Sequence, residues 1–308
     1  MRRWLALLPL LLASPAQAWP ERPVRFIVSA AAGGSNDTVA RVMAEALTAQ
    51  LPHPVIVENR PGAQGMLGAE VVVRAPPDGH TALFSNTGQA GLRVMAPNAS
   101  VDVATALTPV SVVAESPMVM LVANNVPARD LRELLAMAHA APGRFDYATS
   151  SGAGTLQLAG LLFLKATGLE LVPVPYRGGA PAQLDLIAGR INIVFDVATV
   201  ALHTARAGQA RAFAVTGAQR SPHAPDVPTW REMGVPADMT VWQAAWVASA
   251  TPLPLRQEIH AAFARALRSE RLRLRMAELG ADRVLGLSLA EAEAYVAAEV
   301  TRWEGLLR

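Results

Sequence analysis

Ser29, Ala31, Ala32, Gly33 and Gly34 stand between an apolar β-like stretch and a helix-like one, and they carry almost no side chain. Clusters of the same make-up recur along the chain. They are Ser85-Asn86-Thr87-Gly88, then Ser150, Ser151, Gly152, Gly154 and Thr155, then Arg177-Gly178-Gly179-Ala180, and finally Asp196-Val197 running on to Thr199. Residues this small at a strand-to-helix junction leave room for a ligand to reach the backbone. The start of a helix supplies unsatisfied N–H groups and the positive end of its dipole. The chemistry this allows is capture of an anion without any cation. A single glycine-rich turn is weak support, since tight turns alone favour glycine. Several at the carboxyl ends of successive strands form a pattern, because ligands of open α/β sheets sit there.

The side chains among these clusters have competing uses. Asp37 follows Gly33-Gly34 at a helix start, where a carboxylate caps backbone N–H groups; a ligand contact is the other reading. Asp196 ends a strand, with a structural hydrogen bond and a ligand contact both open to it. Arg177 offers a bidentate clamp for a carboxylate, although an exposed loop arginine is the commoner case. Gly152-Ala153-Gly154 after a strand imitates a dinucleotide fingerprint, but Gln157 occupies the place of the third glycine. There is no cysteine, which excludes disulfides, thiolate catalysis and cysteine metal sites. The six histidines (53, 80, 139, 203, 223 and 260) show no ligand spacing, and no P-loop, zinc-protease or nucleophile-elbow motif is present. A catalyst needs an activated nucleophile or a paired acid and base. None is found, so the expectation is a binding protein without turnover, metal or cofactor; an exported hydrolase or lyase on an α/β scaffold is the alternative.

Strand-like and helix-like segments alternate to position these loops. Strands are predicted at 24–29, 55–58, 81–85, 145–149, 171–175, 191–196 and 211–216, with further apolar runs at 110–114, 118–123 and 240–250. Val39, Val42, Met43, Ala46 and Leu47 give an amphipathic helical stripe, and helices follow at 66–74, 130–140, 156–167, 181–188, 200–207, around 255–279 and at 289–307. Residues 86–109 are read as a loop leading into the first apolar run. The alternation predicts parallel sheets in an α/β protein. The runs 118–123 and 241–248, paired side by side, would carry the chain to a second lobe and back. Lobe 1 would then be 19–117 plus 241–308, and lobe 2 would be 118–240. One continuous sheet with a helical cap is the alternative.

Arg2 and Arg3, an apolar run from Trp4 to Ala13 and Ala16-Gln17-Ala18 have the form of an export leader, so Trp19 is expected to be the first mature residue. Losing Arg2 and Arg3 takes the basic count from 27 to 25, equal to the acids, and the net charge from +2 to 0. Lys165 is the only lysine. Arginines cluster only at 265–275, between glutamates and with few aromatics, which reads as a solvated helix face rather than a nucleic-acid surface. The expectation is an exported protein, a monomer that binds no nucleic acid.

The loops, in this order, resemble one family. The stretches "VIVENRPGAQGMLGAEVVVRAPPDGHTALFS", "VPYRGGAPAQLDLIAGRINIVFD" and "AGQARAFAVTGAQRSPHAPDVPTWREMG" are similar to those of periplasmic solute receptors of the tripartite tricarboxylate transporter system, the Bug or TctC-like family. The resemblance implies a two-lobed Venus-flytrap fold in the periplasm. Such a receptor closes on a small mono-, di- or tricarboxylate and hands it to membrane subunits of the transporter; a sensor partner is the alternative to transport. It also implies that backbone amides and waters of the clusters above hold the proximal carboxylate. Departures lie at Ala30-Ala31-Ala32, where a proline or aromatic residue is usual, at Gln157, where a histidine is frequent, and at Val197, where asparagine is favoured. All three surround the expected pocket.

Overall fold

The computed structural model describes residues 19–95, 103–150 and 154–307. The leader, Ser151 and Gly152 lie outside the described residues. In chain order the elements are β1 (Val24–Val28), α1 (Ser35–Thr48), β2 (Val55–Asn59), α2 (Met66–Val73), β3 (Thr81–Asn86), α3 (Gly88–Met95), α4 (Val103–Ala106) and β4 (Leu107–Val122). Then come α5 (Leu131–Ala140), β5 (Asp146–Ser150), α6 (Thr155–Thr167), β6 (Val172–Tyr176), α7 (Gly179–Ile187), β7 (Ile193–Val197), α8 (Ala198–Arg206) and β8 (Arg211–Val215). The chain closes with β9 (Thr240–Ala248), α9 (Leu253–Leu267), α10 (Glu270–Glu278), β10 (Arg283–Val284) and α11 (Leu289–Leu307).

The strands follow one path, β2-β1-β3-β9-β4-β7-β5-β6, with β10 and β8 both attached to β4. The two apolar runs at 110–114 and 118–123 are a single strand of 16 residues. From Leu107 to Pro117 it pairs antiparallel with β9; from Met118 onward it pairs with β7 and β8 instead. This corrects the expected pairing of 118–123 with 241–248, since β9 lies against the earlier part of β4. Pro109 carries no N–H for the ladder, and the β9 register shifts beside it in a bulge. Residues 88–106, read as loop, include α3 and α4. Pro173 and Pro175 sit in β6, whose one partner among the described strands is β5, in keeping with an edge position.

Each half of the sheet has its own aromatic core. Phe26 stacks on both Phe84 and Phe263, each at 5.8 Å between ring centres, beneath α1 and α9. In the second half Phe163, Phe195 and Trp230 meet at 5.3 to 5.7 Å. The chain returns to the first half beside Thr216, which is fully buried. The Thr216 hydroxyl accepts from Met118 N at 2.8 Å and donates to Met239 O at 2.7 Å. Its N–H donates to Met118 O, and its carbonyl accepts from Met239 N. One residue thus ties both passages between the halves.

Candidate ligand site

Parallel strands of both halves end at the place where β4 changes partners. Asn86 of β3 and Gln243 share the last rung of their ladder, and Gln243 in turn faces Ala114 of β4. On the other side Val197 faces Met118 and Asp196 faces Val119. Ala114 and Met118 are four residues apart along one strand, about 13 Å at the usual rise. The loops that follow these strand ends therefore lie on either side of this four-residue gap along β4. α3 from the first half lies against α6 from the second, alongside this gap.

At this gap helices begin without a capping side chain. α1 starts after Gly34, α6 after Gly154, α7 after Gly178 and α8 after Val197, and none of these residues caps through its side chain. α2, α9 and α10 also start without a capping side chain, whereas α5 is preceded by Asp130, whose carboxylate accepts from Glu133 N at 2.9 Å. First-turn N–H groups at the gap are thus left without the partner that a cap would supply. Gly33 at φ +82° and Gly178 at φ +142° adopt backbone conformations that other residues avoid, and a Cβ on either would meet nothing within 4 Å. Both α-carbons face open space.

The remaining residues divide by what holds them. Asp37 is buried, and its carboxylate accepts from Gly33 N at 2.9 Å, Asn59 Nδ2 at 2.9 Å and Arg41 Nε at 3.0 Å. Burial pushes its pKa up, but the Arg41, Gly33 and Asn59 hydrogen bonds outweigh that and leave it below the usual carboxylate range. It props the 30–34 loop from beneath. Ser29 lies under α2, where a Cβ on Gly68 would be 3.2 Å from its Cα. Ala31 is half-buried, and Ala32 is exposed at the loop tip. Ser85 is buried with no partner for its hydroxyl among the described residues. Asn86 accepts from Gly88 N through Oδ1, and Thr87 is bonded to the backbone of Trp242 in both directions. Ser150 packs on Gly154, Thr155 is buried, and Gln157 and Ala180 are half-buried. Arg177 is exposed and makes no hydrogen bond or ion pair among the described residues.

Asp196 is different. It is buried, Oδ2 accepts from Gln183 Nε2 at 2.7 Å, and Oδ1 accepts from Val197 N at 2.8 Å. The Thr204 hydroxyl donates to Gln183 Oε1 and so fixes that amide. Burial pushes the Asp196 carboxyl up, against the two hydrogen bonds, and no cation among the described residues is bonded to it. Neither Gln183 nor Thr204 stood out in the sequence, because they lie inside α7 and α8, where only packing brings them together. Gln243, on the rung beside Asn86, was also passed over; it lies in an apolar strand and is completely buried.

Comparison with known proteins decides the family. The profile of the tripartite tricarboxylate transporter family receptor, TctC, matches residues 39–308. The chain belongs to this family. It is 32% identical to Protein BugT of Bordetella pertussis over 297 residues, 95% of this chain and 90% of that one. Among solved structures, Rpa4515 of R. palustris with adipate superposes with a TM-score of 0.89 at 31% identity, covering 94% of this chain and 97% of that one. MatC of Rhodopseudomonas palustris with bound malate gives 0.88 at 29%, covering 94% and 100%. The TctC-family chain therefore has the two-domain architecture of these periplasmic binding proteins, and its family is one of solute receptors rather than enzymes. No helix among the described residues is long and apolar enough to cross a membrane.

The Asp37 clamp gives a first expected result. Asp37→Ala should destabilise the protein by about 2–4 kcal/mol, since it removes hydrogen bonds to a buried charge. Because the folded pKa is depressed, the stabilisation is fully present above about pH 4 and is lost as pH falls through the lower folded value. Denaturant titrations at pH 7 and pH 3 check this. The gap between wild type and Asp37→Asn should narrow at the acid end.

Proposed function

We propose that this receptor, exported by its leader, captures a small organic acid between its two lobes without converting it, and presents it to the membrane subunits of a tripartite tricarboxylate transporter. The observation that carries the reading is the row of helix starts that follow parallel strands toward the place where β4 changes partners, with the open α-carbons of Gly33 and Gly178 among them. That arrangement offers backbone N–H groups and helix dipoles to an anion. The bound adipate of Rpa4515 and malate of MatC support a carboxylate as the anion. The lobes divide at Pro117/Met118 and again near Thr240, where β4 exchanges β9 for β7 and β8. Closure is a hinge motion about these two passages. Small-angle scattering with a saturating ligand found by calorimetry should show compaction; an unchanged radius of gyration would remove the hinge.

The cradle is made by backbone rather than by a charge clamp, so Arg177→Ala should weaken binding by no more than about 1 kcal/mol, the scale of an exposed charge. Titration calorimetry checks this. A loss of about 3 kcal/mol or more would instead identify a desolvated bidentate arginine.

A further inference from the structure

The second-half wall of the cleft contains a buried carboxyl group of the chain's own. Asp196 lies where α7 and α8 begin, with its carboxylate held by Gln183 Nε2 and Val197 N. A Cβ on Gly179 would sit 2.3 Å from Asp196 Oδ2, so the carboxylate rests directly against the first residue of α7. One residue earlier, the α-carbon of Gly178 faces open space. An acceptor of the chain's own thus already lies at the starts of α7 and α8. A ligand carboxylate brought there would face the acceptor oxygens of Asp196 in a region that water barely reaches, whereas a ligand donor would find them ready to accept. A carboxylate accepts about four hydrogen bonds, and two are supplied here. No charged side chain of α7, α8 or β4 is paired with it among the described residues.

We infer that Asp196 is a specificity-determining residue: it accepts a hydrogen bond from a hydroxyl or ammonium group that the ligand carries beside its carboxylate, while the carboxylate itself lies toward α1 and α6. The receptor thereby selects 2-hydroxy or 2-amino acids over their unsubstituted parents. This rests on the carboxylate-receptor reading above, and it narrows that reading in one respect. The clusters at 177–180 and 196–199 serve as the donor-reading wall rather than as part of the anion cradle.

The test is titration calorimetry with matched acids that differ only at the carbon next to a carboxylate: propionate, lactate and alanine; succinate, malate and aspartate; adipate, 2-hydroxyadipate and 2-aminoadipate; and tricarballylate against citrate. In whichever set binds, the wild type should favour a hydroxyl- or ammonium-bearing member by about 10- to 100-fold, the range for a hydrogen bond to a charged group. The arm that shows the preference identifies the donor. Asp196→Asn should bring the ratio close to one, mainly by weakening the donor-bearing acid, and should leave the parent acid bound as well or better. A structural role alone would weaken every acid by the same factor, and that result overturns the inference, as does a wild-type ratio near one. The wild-type ratios decide even where Asp196→Asn fails to fold. If none of the acids binds, the carboxylate-receptor reading falls; if they bind without preference, that reading stands and only this inference falls.

Discussion

Gly179→Val is expected to abolish ligand binding, raising Kd by at least about 100-fold, or roughly 2.7 kcal/mol, in a protein that still folds. The cause is local. The first added carbon would lie 2.3 Å from Asp196 Oδ2 and 2.9 Å from its Cγ, whereas non-bonded atoms settle at about 3.5–4.0 Å. Either the loop before α7 moves outward or the Asp196 carboxylate leaves Gln183 and Val197. Both outcomes rearrange the cleft wall at ångström scale, and valine adds two further methyl groups. Gly34 provides the comparison. It starts α1 at φ −77°, and a Cβ there would meet only Ala31 O at an ordinary 3.5 Å. Gly34→Ala should therefore cost under about 1 kcal/mol in stability, the scale of a changed cap residue. Any larger effect it has on affinity must come from bulk placed between the ligand and the backbone. Calorimetry on both variants, after thermal melts confirm folding, tests the scheme. Undiminished binding by Gly179→Val would mean that this wall does not touch the ligand.

These glycines show where sequence reasoning succeeds and where it stops. The recurrence of small residues after apolar strands is a local pattern, and so is the helical stripe from Val39 to Leu47; both were visible because period and composition are properties of neighbours in the chain. What each glycine is for was not visible. Gly178 needs its backbone angle, Gly179 needs space for Asp196, and Gly34 needs neither. The distinction depends on side chains that approach from other elements. The same holds for β4. Glu115, Ser116 and Pro117 break its apolar pattern, so it reads as two runs, and only the pairing with β9 and then with β7 shows it to be one strand. Strand pairing is non-local, and register is fixed by contacts that periodicity does not encode. α3 was missed for a simpler reason: it starts inside the Ser85-Asn86-Thr87-Gly88 cluster and has a second glycine, Gly91, within its first four residues.

Thr216→Val is expected to be the most damaging conservative substitution at the proposed hinge, costing about 2–5 kcal/mol of stability. Valine has nearly the same shape, so no cavity opens and no contact is crowded. Only the hydroxyl is lost, but it serves two passages of chain at once. Without it the Met118 N–H and the Met239 carbonyl lose a partner each, at a residue with no exposed surface. A buried polar group left unpaired costs about 1–3 kcal/mol, more than the net worth of the bond it made. The two orphans act in the same place, so their effects should not simply add. The backbone bonds from Thr216 N to Met118 O and from Met239 N to Thr216 O remain, which keeps the halves joined and makes the loss measurable in a folded protein. At about 2–4 °C per kcal/mol for domains of 150–250 residues, the melting temperature should fall by roughly 5–15 °C. Thr216→Ser keeps the hydroxyl and should recover most of it. If valine melts with the wild type, water or relaxed backbone satisfies Met118 and Met239, and the tie between the two passages is not held by this side chain. If valine is destabilised and serine is not, the hydroxyl fixes both passages at one point, and that point is where an opening motion of the two lobes would have to turn.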